Sequence, residues 1–245
     1  MANKQRYIFI SDLHLDENHP EITANFLNLL QRCRTETDAL YMLGDFFEVW
    51  IGDDNHTPLI DEIVAALRAA TDRGLPIYFM HGNRDFLIGA DFIKATGCRL
   101  LTDDEKISLF QQSVLLMHGD TLCMGDAAYI RMRKLFRNKF IQKIFLCLPL
   151  SIRQKIAAKM RAKSQQYTSS ADLAIMDVTQ TEVERVMREH EVLVLIHGHT
   201  HQPKMHSFTL DGHNAQRIVL AAWHDGGSAL VWDEDGAKSV LINNV

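Results

Sequence analysis

Two textures of apolar residues alternate along the first hundred positions. Tyr7-Ile-Phe-Ile10 is a short unbroken run that stops at Ser11-Asp12, and Pro20 to Arg34 then carries Ile22, Phe26, Leu29, Leu30 and Cys33 at helical spacing. Ala39 to Leu43 repeats the short run. Leu59 to Ala70 repeats the helical spacing through Ile60, Ile63, Val64 and Leu67, and Leu75 to Met80 is a third run after Gly74, which ends the helix. Strands alternating with helices predict an α/β layered core. From Lys106 the texture changes to paired strand-like runs, Lys106 to Phe110 and Ser113 to Met117. A helix over Gln180 to His190 and a strand over Val192 to Ile196 follow. The C-terminus reads as a β meander, Lys204 to Leu210, Ile218 to Trp223, Ser228 to Trp232 and Lys238 to Ile242, turning at Asp211-Gly212 and Asp235-Gly236. No internal repeat or low-complexity linker interrupts it.

Composition narrows the class. The 245 residues are 47% hydrophobic and 23% charged, enough to bury a full core, which excludes a disordered chain. The longest strongly apolar stretch, Ile144 to Leu150, contains Pro149 and falls far short of the roughly 20 residues that span a bilayer. Four apolar residues before Ser11 are too few for the h-region of a signal peptide, so export is not expected. Cys33, Cys98, Cys123 and Cys147 form no C-x-x-C pair and read as reduced thiols of a cytosolic protein.

The net charge of -5 hides an asymmetry. Between Ala127 and Ala171 there is no Asp or Glu but eleven basic residues: Arg131, Arg133, Lys134, Arg137, Lys139, Lys143, Arg153, Lys155, Lys159, Arg161 and Lys163. That segment carries +11, and the remaining residues, with 15 basic and 31 acidic side chains, carry -16. Phe136, Phe140, Ile141, Ile144, Phe145, Leu146, Leu148, Leu150, Ile152 and Ile156 interleave with the charges. Basic amphipathic helices bind anionic membranes, nucleic acids or acidic ligands. The plainer reading is a solvated helix face.

Most strand-like runs end in Asp, Asn, His and Gly: Asp12-Leu-His14, Gly44-Asp45, His81-Gly-Asn-Arg-Asp85, His118-Gly-Asp120 and His197-Gly-His-Thr-His201. Groups at the ends of adjacent strands converge on one edge of a sheet. Carboxylate, amide and imidazole donors without thiolate suit Mn, Fe or Zn. Taken singly each fragment is commonplace. The ordered set resembles the calcineurin-like metallophosphoesterase family, whose signature runs D-x-H, G-D, G-N-(H/R), H and G-H-x-H. The resemblance implies a layered β-sandwich core flanked by helices over 1–124 and 172–245, with a helical basic insert over 125–171 acting as lid and as lipid and membrane contact. It also implies two divalent metals, manganese foremost. Asp12, His14, Asp45 and His201 would hold the first and Asp45, Asn83, His118 and His199 the second, with Asp45 bridging and an activated water attacking phosphorus in line. The catalytic set so implied is Asp45, Asn83, Arg84 and His199. His81 and His197 are expected to support or pack. His19, His56, His190, His206, His213 and His224 receive no role.

Where many members of that family have histidine after the asparagine, this chain has Arg84. Arginine does not donate a proton usefully but stabilises charge on a phosphoryl oxygen. That suits a phosphate leaving group, whose second pKa is about 6, and argues for cleaving a diphosphate. The alternative is an arginine that merely pairs with Asp85 or Asp120. The stretches Tyr41 to Asp54, His81 to Gly89, Met117 to Cys123, Ala171 to Val178 and Leu195 to His201 are similar to the family's branch that hydrolyses UDP-2,3-diacylglucosamine in lipid A biosynthesis. That resemblance implies UMP and lipid X as products and a peripheral position on the cytoplasmic face of a bacterial inner membrane. It also implies substrate contacts from Asn83, Arg84, Asp126, Arg161, Ser164, Thr168 and His199, and Ala171 stands where that branch usually has lysine. An anionic membrane surface is the expected partner. Nucleic acid is not expected, because it would explain the basic charge but not the Phe, Ile and Leu, and no obligate protein partner is expected. The rival classes are a nuclease or cyclic-nucleotide phosphodiesterase, and a noncatalytic scaffold docked on membranes, which would have no need of seven convergent ligands.

Overall fold

All five residues of the strand Ala39–Leu43 (β2) are buried, because the strand is covered on both faces. Leu40 and Met42 pack into one apolar cluster, whereas Ala39, Tyr41 and Leu43 pack into another. Its neighbour Arg6–Ile10 (β1) divides likewise, Ile8 and Ile10 to one side and Phe9 to the other, as alternation along a strand requires. The computed structural model describes residues 5–33, 37–124, 127–170, 178–224 and 226–241, with backbone alone at 127–129 and 163–170.

Strands β1, β2, Ile77–Met80 (β3) and Arg99–Leu100 (β4) run parallel. With Ser228–Asp233 (β10) and Gly236–Leu241 (β11) they form a six-stranded sheet in the order β11-β10-β1-β2-β3-β4. Helices Pro20–Arg32 (α1), Pro58–Asp72 (α2) and Ala90–Thr96 (α3) cover its outer face through Phe26, Leu29, Ile63, Leu67 and Phe92. The second sheet comprises Asp104–Leu109 (β5), Gln112–Met117 (β6), Val194–His197 (β7), Lys204–Leu210 (β8) and His213–Val219 (β9), in the order β5-β6-β7-β9-β8. Helix Gln180–Glu189 (α7) packs on its outer face through Val183, Val186 and Met187. Between the sheets, Phe9, Tyr41 and Met80 meet Val114, Leu116, Ile196 and Ile218. The anticipated layered β-sandwich flanked by helices is the observed fold.

Two expectations need correction, and two elements are new. The C-terminal strands are not one meander: the β8–β9 hairpin joins the second sheet and the β10–β11 hairpin the first. Strand β9 spans His213–Val219 rather than Ile218 to Trp223, because β8 turns back at Asp211-Gly212 and pairs Leu210 with His213. Helix α3 and strand β4 were not anticipated. The N-terminus of α3 is capped from far away in sequence, by the Asp53 carboxylate accepting from the backbone N–H of Gly89, Asp91 and Phe92.

The basic segment forms Ala127–Phe136 (α4), Lys139–Leu146 (α5) and Leu150–Ser170 (α6). Asn138 caps α5 by accepting from Phe140 N and Ile141 N, and Pro149 precedes α6. Its arginines and lysines separate for the most part, although Arg131 is exposed like the lysines. Arg133 pairs with Asp120 and Asp103, and Arg137 with Asp103 and the Gly82 carbonyl. Buried Arg153 pairs with Asp54 and donates to the Ile51 carbonyl, and Arg161 pairs with Asp16 and Glu48. Lys134, Lys139, Lys143, Lys155 and Lys159 stay exposed. The planar guanidinium fork suits fixed carboxylate and carbonyl contacts, whereas ammonium is better hydrated. Part of the +11 therefore docks the segment on the acidic body. Among the described residues no helix is long and apolar enough to cross a membrane.

Candidate metal centre

The parallel strands β1, β2 and β3 and the parallel pair β6 and β7 deliver their C-terminal loops to one rim, where open α/β sheets carry their sites. Asp12 and His14 follow β1, Asp45 follows β2, Asn83 follows β3, His118 follows β6, and His199 and His201 follow β7. The loops are stitched together by their backbones: Asp12 N donates to Gly44 O at 3.0 Å, His14 N to Asp45 O at 3.0 Å, and Gly198 N to His118 O at 2.9 Å.

Of the nine described non-glycine residues at positive φ, five are in this set: Asp12 (55°), His14 (51°), Asp45 (51°), His199 (69°) and His201 (55°). Left-handed backbone costs on the order of 1 kcal/mol per residue, so the fold spends stability to aim these side chains inward. Gly198 makes the close approach possible, since a Cβ there would run into Asp12 Oδ2 and Ser11 Oγ. Gly198→Ala is expected to cost about 1–3 kcal/mol, as overpacking does, and to lower divalent-cation uptake. A thermal melt and metal analysis check both, and an unchanged melt with full uptake would contradict this packing.

Among the described residues the donors form three overlapping groups: Asp12, His14 and Asp45; Asp45, His118 and His199; and His14, His201 and His224. In the first, His14 Nε2 lies 3.3 Å from His201 Nε2, 4.0 Å from Asp12 Oδ1 and 3.8 Å from Asp45 Oδ2, and His201 Nε2 lies 3.3 Å from Asp12 Oδ1. In the second, His118 Nε2 lies 3.0 Å from Asn83 Oδ1 and 3.6 Å from Asp45 Oδ1. The two Asp45 oxygens thus face different groups. Ligands at about 2.1 Å from one cation stand about 3.0 to 3.4 Å from one another, so the closest of these separations fit coordination.

Supporting contacts aim the rings. His14 Nδ1 donates to Glu48 Oε2 at 2.7 Å and His118 Nδ1 to Leu43 O at 2.9 Å, turning each Nε2 inward. His199 N donates to Asp12 Oδ2 at 2.9 Å. Electrostatics agree with a cation site. Burial works against a charged His118, yet Asp45, Asp12 and Asp120 outweigh it and push its pKa up to about 9. Burial and the His118 charge push His199 down to about 4. Burial would raise Asp12, but the His201 hydrogen bond and the neighbouring histidines hold it well below the usual carboxylate range. The pocket is rich in negative charge, so the residues present fit divalent cations, which displace such protons.

Arg84 donates its backbone N–H to Asp45 Oδ1 at 2.8 Å. Arg161 meets the rim through Asp16 and Glu48. Asp126 lies outside the described residues, as does Ala171, and Ser164 and Thr168 fall on α6 where side chains are not described. His81 Nε2 donates to Ile88 O at 2.8 Å, and buried His197 donates through Nδ1 to Gly198 O at 2.8 Å, so both support loops. Two neighbours were missed. Glu48 orients His14. His224 stacks on His14 with ring centroids 5.6 Å apart and groups with His14 and His201; it too follows an apolar run, the signal that marked the other donors.

The profile of the family described as calcineurin-like phosphoesterase matches residues 5–203. A protein of Enterobacter sp. (strain 638), named UDP-2,3-diacylglucosamine hydrolase, is 49% identical over 95% of this chain and 97% of its own. Proteins of the same name from Coxiella burnetii (strain Dugway 5J108-111) and Pseudomonas entomophila (strain L48) are 50% and 51% identical, each over 94% of this chain and 94% and 95% of their own.

Proposed function

The chain belongs to the calcineurin-like phosphoesterase family, and from that premise we propose that it hydrolyses the diphosphate of UDP-2,3-diacylglucosamine, releasing UMP and 2,3-diacylglucosamine 1-phosphate in lipid A biosynthesis. The observation that carries the chemistry is Asp45, whose Oδ2 faces His14 and whose Oδ1 faces His118. The substrate is taken from the similarity to the hydrolases above, which runs along nearly the whole chain.

In this reading Asp12, His14, Asp45 and His201 hold one divalent cation and Asp45, Asn83, His118 and His199 the other, with manganese the first choice for such N and O donors. When bound, the cations supply Lewis-acid charge for the phosphoryl oxygens and a water acidic enough to be the nucleophile. Asp45 would offset their mutual repulsion, and His199, whose pKa is depressed, would serve as an uncharged donor near neutral pH. Arg84, Asn83 and His199 face the phosphoryl group and Arg161 receives the substrate phosphate at the rim, while Asp126, Ser164 and Thr168 are assigned to the substrate by the resemblance alone. Incubation with UDP-2,3-diacylglucosamine tests the reading: UMP should appear with Mn2+ and not after chelation. Mn2+-dependent cleavage of other phosphodiesters with no UMP from this substrate would leave the family and remove the substrate.

We further propose that the segment 125–171 is a lid that contacts the acyl chains and an anionic inner-membrane surface from the cytoplasmic side. Supporting this, Phe140 and Ile144 are 72% and 53% exposed on α5, beside the exposed Lys139 and Lys143. Replacing Lys134, Lys139 and Lys143 with glutamine should weaken binding to vesicles containing anionic lipid by up to about 1 kcal/mol per residue. The remainder should become less salt-sensitive, because exposed charge is screened within about 8–10 Å. Vesicle co-sedimentation across salt checks this, and unchanged binding would send the membrane contact elsewhere. Arg133 and Arg137 are unsuited to the test, since they hold Asp120, Asp103 and the Gly82 carbonyl.

A further inference from the structure

Glu48 stands three residues after Asp45 and faces two ways. Its Oε2 accepts from His14 Nδ1 at 2.7 Å, and its Oε1 lies 3.2 Å from Arg161 Nε on α6. The same guanidinium reaches Asp16 Oδ2 through Nη1 at 2.9 Å. The backbone holds the pair in register: Glu48 N donates to Leu15 O at 3.2 Å, Leu15 N to Phe46 O at 2.9 Å, and Leu15 and Phe47 form a parallel bridge. The Glu48 side chain is only 14% exposed.

Burying a carboxylate is costly unless it is paired, and Glu48 is paired at both oxygens, with His14 and with Arg161. An imidazole offers one nitrogen to a metal when the other is engaged as a donor, and the partner of the second nitrogen sets ring orientation and basicity. With Nδ1 committed to Glu48, the His14 Nε2 faces Asp12, Asp45 and His201. The other oxygen of Glu48 is met by a residue of the basic segment rather than of the core.

We infer that Glu48 is a positioning residue that fixes His14 for the first cation site, and that Arg161 makes this dependent on how the basic segment is seated. The inference rests on the two-metal reading above. It connects the segment that would meet the lipid to the centre that would cleave the diphosphate through one shared carboxylate.

Titration of the metal-free full chain with Mn2+, read by the free-ion electron paramagnetic resonance signal, tests it apart from activity. Glu48→Ala should weaken one of two Mn2+ sites about 10- to 100-fold, the usual effect of losing such a partner, and leave the other unchanged. Glu48→Gln keeps an oxygen that can accept from His14 Nδ1 and should lose less. Turnover of both should recover as Mn2+ is raised. Arg161→Gln should shift the same site in the same direction by a smaller factor. Folded Glu48 variants with both Mn2+ affinities unchanged would overturn the positioning role. An Arg161→Gln variant with raised KM and unchanged Mn2+ affinities would overturn the link to the segment. A wild-type chain that takes up no Mn2+ would instead overturn the two-metal reading itself, a distinct result.

Discussion

Asp45→Ala should abolish turnover, by about 10³-fold or more, and release both cations together. Its carboxylate is common to the group of Asp12 and His14 and the group of His118 and His199, so its removal takes a ligand from each and the anionic charge that lets two cations sit close. Metal ions supply several kcal/mol of transition-state charge stabilisation, and each 1.36 kcal/mol is about tenfold in rate. Asp45 also accepts from Arg84 N at 2.8 Å and has φ 51°, so alanine adds backbone strain. Asp45→Asn removes the charge while tolerating that conformation, and its melt separates lost metal from lost folding. His201→Ala, at a side chain 38% exposed and belonging to one donor set, should cost less. Metal analysis with kinetics checks the ranking, and full occupancy with near-normal activity in Asp45→Asn would refute the bridge.

The donors are conspicuous because of where they fall, although the sharing of Asp45 is implied only by the resemblance to the family. Each of the five motifs comes directly after an apolar run, and those runs are the strands β1, β2, β3, β6 and β7. A parallel strand buried on both faces has to be almost wholly apolar, so the polar residue that ends it is conspicuous. Helices α1, α2 and α7 were legible for a related reason, since each has one face on a sheet and one in water.

What stayed hidden depends on partners distant in sequence. Helix α3 has seven residues and is capped from Asp53, which no local pattern announces. Glu48 sits within Phe46-Phe-Glu-Val-Trp50, where a lone carboxylate is unremarkable until Leu15 and Phe47 bridge and bring it to His14. The +11 of the basic segment could be counted along the chain, but its division into docking arginines and exposed lysines needed the acidic residues Asp16, Asp54, Asp103 and Asp120 to be placed opposite them.

Arg84→Ala should lower kcat about 10²- to 10³-fold with both cations retained, the range for loss of one donor to a developing oxyanion. The competing role is an arginine that merely neutralises Asp85 or Asp120, and each of these carboxylates has other partners. The Asp85 oxygens accept from Gly82 N and Phe46 N, each at 2.7 Å, and burial followed by the Asp45 charge raises its pKa, so it is a buried staple between two loops. Asp120 pairs with Arg133 at 2.5 Å. Arg84 is itself anchored by its backbone to Asp45, and, against burial and alongside the His14 hydrogen bond, its charge helps hold the Glu48 carboxyl below the usual range. A guanidinium stays protonated through the reaction and binds phosphoryl oxygens in a planar fork. It can therefore stabilise charge on the group being attacked while a sugar phosphate leaves as an anion that needs no proton. Arg84→Lys should also be impaired, because one ammonium cannot reproduce the fork. Single-turnover rates at saturating Mn2+, with metal content measured on the same samples, check the effect. Retained metal with unchanged kcat/KM in Arg84→Ala would assign the residue to holding the loop, and the preference for a diphosphate would then have to come from elsewhere in the site.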